Sequence, residues 1–79
     1  MESEEELHRG KIVHYINKGF GFIEIDGVPS ELKESRIFFH VNNYKSKNLP
    51  LIGEYVEFYI AKDWQGRREA RNVTPVDEY

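Results

Sequence analysis

The sequence predicts an all-β domain, a five-stranded antiparallel Greek-key barrel. Three observations carry this expectation. Five short runs rich in β-branched and aromatic residues are separated by Gly, Pro, Asn and Asp turn signals. No stretch sustains a long helical period. The gap between the third and fourth runs is longer than the others, as the long connection of a Greek key requires. A chain of 79 residues buries only roughly 60% of its unfolded surface. Closing the sheet leaves no exposed edge, which makes a barrel the stable solution at this size.

In chain order, residues 1–7 open with Glu2, Glu4, Glu5 and Glu6, and like charge with little apolar content predicts a disordered acidic tail. A single domain is expected over residues 8–76, with a short C-terminal tail over 77–79. Arg9 to Ile16 is β-branched and aromatic and forms the first predicted strand. Asn17-Lys18-Gly19 supplies a tight turn into a second strand, Phe20 to Ile25. Asp26-Gly27 marks another turn, and the long polar stretch 26–36 reads as a loop with one helical turn started at Ser30.

The third strand is predicted from Arg36 to Val41, and residues 42–51 read as an irregular crossover containing Lys45, Lys47 and Pro50. Gly53 opens a fourth strand in which Val56, Phe58 and Ile60 alternate with Tyr55, Glu57 and Tyr59. A loop over residues 63–68 leads to a short fifth strand, Glu69 to Pro75.

The net charge of −3 argues superficially against a polyanionic ligand, but its distribution argues otherwise. The acidic residues cluster at the chain ends, and between Leu7 and Val76 11 Lys and Arg face 8 Asp and Glu. Local field matters more than total charge for attracting a polyanion. The absence of cysteine excludes disulfides and cysteine–zinc clusters and suits a reducing compartment. No apolar run reaches the length of a membrane span, and the acidic N-terminus is unlike a signal peptide, so a soluble cytoplasmic domain is expected.

The stretch that organises the chain is Lys18-Gly19-Phe20-Gly21-Phe22-Ile23, with a partner in Ile37-Phe38-Phe39-His40. Alternation along a strand puts Phe20 and Phe22 on one face and Gly21 on the other. Phe38 and His40 likewise share a face, opposite Ile37 and Phe39. A pair of Phe residues is more often core than platform. Here lysine, two glycines and a second aromatic pair ending in histidine favour a flat apolar surface with a basic rim, on which bases stack.

Lys-Gly-Phe-Gly-Phe also matches the start of an RNA-recognition submotif. In the RNA-recognition-motif fold the shorter motif precedes it and two helices are needed; here the shorter motif follows and no long helical period exists. The chain therefore resembles the cold-shock domain, an OB-fold family that binds single-stranded RNA and DNA. The resemblance runs from Gly10 to Val73 and includes Gly53, the alternating Val56, Phe58 and Ile60, and a closing Ala70, Asn72 and Val73.

That resemblance implies a nucleic-acid platform of Lys18, Phe20, Phe22, Phe38 and His40, and a barrel filled by Ile23, Ile37, Phe39, Val56, Phe58 and Ile60. The chain also departs from the family. Where members carry Lys-Trp-Phe-Asn it has Val13-His14-Tyr15-Ile16, and the following turn is one residue shorter. His14 and Tyr15 are both open as replacements for the missing tryptophan, with Tyr15 preferred for its larger ring. The loop over 26–36 is longer than in the family, and Val41 stands where an aromatic is common. Tyr44 and Trp64 are further candidates to rebuild the surface. Trp64 has an equally open reading as a lid on one barrel end. Arg67 and Arg68, beside it, become phosphate contacts if they lie near the platform.

His8, His14 and His40 lack metal-ligand spacing, Gly19-Phe20-Gly21 lacks the third glycine of a dinucleotide fingerprint, and no nucleophile or phosphate-loop motif occurs. No enzyme activity, cofactor, metal or small-molecule substrate is expected. The expected partner is single-stranded RNA or DNA, bound by a monomer that, through the family, keeps RNA single-stranded or tunes transcription or translation. The rival expectation is an OB-fold protein-interaction or accessory domain of a larger polypeptide, with weakened nucleic-acid binding.

Overall fold

Alternation of buried and outward residues builds the sheet, and a computed structural model describes it over residues 6–76. Five strands form: β1 (His8–Ile16), β2 (Phe20–Ile25), β3 (Arg36–His40), β4 (Tyr55–Lys62) and β5 (Arg68–Pro75). They close into a barrel in the order β1-β2-β3-β5-β4, with β4 pairing back onto β1. The expected all-β, five-stranded barrel is present. An odd number of strands around a closed ring cannot alternate throughout, so one contact must be parallel. That contact is β3 with β5, through Phe38 and Glu69.

Inward residues fill the barrel. Ile12, Ile23, Ile25, Ile37, Phe39, Tyr44, Val56, Phe58, Ala70 and Val73 are buried in one cluster. Five of the six expected core residues are among them, and Ile60 packs against the cluster half-buried. Tyr44 lies in the crossover, bridges to Val73, and donates its hydroxyl proton to Glu54 Oε1. Burial, and then the hydrogen bond and the charge of Glu54, push its phenol up to about 12. Tyr44 is therefore a core residue and no part of an exposed stacking surface.

Two bulges set the side-chain faces. Between Ile12 and His14, β1 advances two residues while β2 advances one, so Val13 is the extra residue. Between Glu57 and Tyr59 the extra residue lies on β5, and Asn72 there takes φ 52°. Asparagine tolerates that left-handed backbone better than most residues. Each bulge bends its strand, which helps a small sheet to close.

The parity change at Val13 also accounts for Gly21. A Cβ at that position would meet the His14 carbonyl oxygen at 2.2 Å and the Phe39 ring at 3.1 Å. The inner face there is occupied by the bulged backbone of β1, so only glycine fits.

The connections differ from expectation in detail. The helical turn expected to start at Ser30 is replaced by a turn in which Leu32 donates to Pro29, followed by a short 3-10 turn at Lys33–Ser35. Ser35 is buried and its hydroxyl bonds the Ser30 carbonyl at 3.3 Å, pinning the long loop to itself. Strand β3 stops at His40 instead of Val41, because His40 Nδ1 accepts from the Asn42 N–H and caps a second 3-10 turn. Of the acidic tail expected over 1–7, only Glu6 and Leu7 fall within the described residues; 77–79 lie outside them.

Two outcomes test this packing. Gly21→Ala should destabilise the domain by about 1–3 kcal/mol in urea unfolding, the usual cost of overpacking. An unchanged midpoint would mean that the bulge and Gly21 are not coupled. Tyr44 carries a raised pKa, so its contribution is complete below the unfolded value near 10 and is lost as pH rises through about 12. Thermal stability should fall across that interval, and Tyr44→Phe should flatten the fall.

Candidate nucleic-acid interface

The outer surface of β1, β2 and β3 gathers the three phenylalanines that the core does not use, Phe20, Phe22 and Phe38. Register places Phe20 opposite His40, Phe22 opposite Phe38, and Glu24 opposite Arg36. On the other side His14 pairs with Phe22 and Ile16 with Phe20. Phe20, Phe22, Phe38 and His40 are half-buried, with one face of the sheet beneath them and solvent above.

The rings are in mutual contact. Phe38 lies 5.6 Å from Phe20 and 6.0 Å from Phe22 between centroids, the second pair edge-on. His14 continues the row, 6.2 Å from Phe22. The bulge decides between the two candidates for the missing tryptophan. An unbulged β1 with Ile12 inside would turn His14 inward and Tyr15 outward. The extra residue reverses this, and the preference for Tyr15 reverses with it. Tyr15 is stacked on core Phe39 at 6.4 Å and packs against the core, whereas His14 is exposed beside Phe22.

Lys18 sits at the hairpin between β1 and β2, whose turn closes by a bond from the Gly19 N–H to the Ile16 carbonyl, with Gly19 at φ 98°. A three-residue loop ending in a left-handed glycine is a common way to join two strands. Lys18 is exposed and pairs with no carboxylate among the described residues. His40 uses Nδ1 to accept from Asn42 at 3.1 Å, which leaves Nε2–H as the edge it can offer a ligand.

The loop between β4 and β5 comes up against this face. Phe22 and Phe38 join Asp63, Arg67 and Arg68 in lining a cleft of about 320 Å³. Arg67 and Arg68, ordinary surface cations in sequence, thus border the aromatic rings. Asp63 holds the loop in shape. Its Oδ1 accepts the backbone N–H groups of Gln65 and Arg67, each at 2.9 Å, and its Oδ2 accepts from Arg67 Nε at 3.2 Å. The Arg67 backbone N–H is the largest influence holding the Asp63 carboxyl below its usual value, with Gln65 and the Arg67 charge adding to it. A lowered pKa means this bracing is complete above the ordinary carboxylate range and is lost only as pH falls through the lowered value.

Asp63 was not among the sequence candidates. The signal available was an aspartate ahead of Gly66, where Asp side chains commonly bond the backbone two residues on. Trp64, at the tip, is 89% exposed and does not seal a barrel end. Lys45 and Lys47 remain exposed in the crossover.

Offset rings of this size offer stacking surface to planar bases, and flanking Arg and Lys offer charge to phosphates. Among the described residues, no group of three or more His, Cys, Asp or Glu stands ready to hold a metal ion. A family model described as the 'Cold-shock' DNA-binding domain matches residues 8–76. A comparison with curated proteins finds no relative. Among solved structures, drosophila Unr CSD456 is similar at a TM-score of 0.72 and 22% identity, covering 90% of this chain. That identity speaks to fold alone, and the chain spans 27% of the Unr chain's length. A barrel of this order, with the aromatic motifs on adjacent strands and a family match across nearly the whole chain, leads to one assignment: the chain belongs to the cold-shock domain family.

Proposed function

We propose that this domain is a non-catalytic module that binds single-stranded nucleic acid by stacking bases on Phe20, Phe22 and Phe38. The observation that carries the reading is the division of the phenylalanines. Phe39 and Phe58 are fully buried, while Phe20, Phe22 and Phe38 lie together on the outer face and stay partly open. A protein of this size gains little by leaving three adjacent phenyl rings in water unless they meet a ligand.

His14 and His40 extend the surface at its two sides. Lys18, Arg67 and Arg68 supply phosphate contacts around it. Membership of the cold-shock domain family supports nucleic-acid binding in general, and stacking with little hydrogen-bond readout favours tolerance of sequence over strict specificity. The binding unit is the monomer, and its effect on a bound strand is to hold it unpaired.

Phe22→Ala and Phe38→Ala should each weaken binding to oligo-dT or oligo-U by about 1–3 kcal/mol, the usual worth of a base stacked on an aromatic ring. Phe58→Ala, by contrast, should cost roughly 3–5 kcal/mol of folding stability. Titration alongside urea unfolding separates the two effects, and the platform reading fails if Phe22→Ala unfolds the domain as badly as Phe58→Ala. Affinity should also fall with salt, with a logarithmic slope of about −0.7 per phosphate neutralised. The slope should flatten in Arg68→Gln and stay unchanged in Lys33→Gln, whose lysine lies in the loop after β2.

A further inference from the structure

We infer that the β4–β5 loop is a second stacking station, with Trp64 taking a base of the same strand after it leaves Phe22 and Phe38, and Asp63 acting as the positioning residue. This rests on the single-strand-binding reading and adds to it a site that the aromatic motifs do not contain. Trp64 is the most exposed large apolar side chain among the described residues, at 89%. An indole has the largest stacking face of any side chain, and leaving it in water has no packing return here.

The segment that carries it is nevertheless built. Asp63 accepts from Gln65 and Arg67 through one carboxylate oxygen and from the Arg67 guanidinium through the other. The Asp63 N–H donates to the Arg67 carbonyl at 2.8 Å, and the Gly66 N–H donates to the Asp63 carbonyl at 2.9 Å. These bonds close the loop on both sides of Trp64, so the indole is held out on a braced turn instead of a slack one. Holding it there in advance reduces the ordering cost of binding.

The two stations are joined in the chain through Asp63. Asp63, the residue before Trp64, lines the same cleft as Phe22, Phe38, Arg67 and Arg68. A strand leaving the phenylalanine rings past Arg67 and Arg68 comes to the loop that carries the indole. Arg67 keeps its Nε on Asp63, leaving its terminal nitrogens for phosphate. Arg68 has no carboxylate partner among the described residues. The ligand class is therefore an unpaired strand long enough to cover both stations.

The experiment uses the full chain and two probes, oligo-dT of about three and about eight nucleotides, either side of the lower limit of OB-fold site sizes. Trp64 is the only tryptophan, so its emission reports this station alone. The longer probe should quench it. Trp64→Ala should weaken the longer probe about fivefold to a hundredfold by anisotropy and leave the shorter one nearly unchanged. Asp63→Ala should lose most of the quenching with thermal unfolding little altered, and Asp63→Asn, which keeps an acceptor oxygen for the backbone, should restore part of it. Emission indifferent to the longer probe, with equal affinity in Trp64→Ala, overturns the second station. If Phe22→Ala still weakens both probes in that case, the platform stands and only this inference falls. If Phe22→Ala changes neither probe, the single-strand reading fails as well.

Discussion

The arrangement of this barrel depends on one close approach, the His14 carbonyl of β1 against the α-carbon of Gly21. Any side chain at Gly21 would overlap that oxygen, since even a Cβ would stand 2.2 Å from it. The contact exists because Val13 is an extra residue in β1, and the extra residue changes which side chains face the core. Before the bulge Gly10 and Ile12 point inward; after it Tyr15 does, and His14 is left outside. Remove the bulge and the aromatic row would lose His14, while Tyr15 would leave its place on Phe39. A backbone irregularity two strands wide thus determines the composition of a surface.

Core and surface are consequently made from the same short strands with little overlap. Gly21, Ile23 and Ile25 of β2 face in, and Phe20, Phe22 and Glu24 face out; β3 divides in the same way. One-residue alternation lets strands this short carry a hydrophobic filling and an outer row of aromatic rings back to back. The arrangement also limits the surface. Every outward phenylalanine is area that the barrel does not bury, and in a domain this small that area is a sizeable share of what holds it together.

Much of this was legible in the sequence because period and turn chemistry are local. The presence and order of the five strands, the two aromatic motifs, and Ile23, Ile37, Phe39, Val56 and Phe58 as filling follow from alternation between glycine, proline and asparagine signals, whereas the strand ends shift by a residue or two. What was not legible depends on residues distant in the chain. The face of Tyr15 turns on a bulge that leaves no local mark in Val13-His14-Tyr15, since its consequence appears at Gly21. Tyr44 looks like a surface residue of a polar crossover, yet it is buried because β5 passes beside it at Val73 and Glu54 takes its hydroxyl. Ile60 follows the alternating pattern of β4 but lies beyond the bulge opposite it and stays half-buried against the core.

Charge shows the same separation between total and local quantities. The chain is net negative, yet on the described barrel several acidic side chains are already committed. Glu57 pairs with Arg9 at 2.8 Å, Glu69 with Arg71 at 2.7 Å, and Asp63 with Arg67 at 3.2 Å. Such exposed pairs add little stability, but each places opposite charges side by side and so shortens the reach of both. Lys18 and Arg68 lack such partners among the described residues, and they flank the aromatic rows from the hairpin side and the loop side. A phosphate approaching those rows meets unpaired positive charge within a screening length, whereas the net charge of the molecule is felt mainly beyond it. The proposed anionic ligand is therefore favoured by where the carboxylates are occupied rather than by how many basic residues the chain carries.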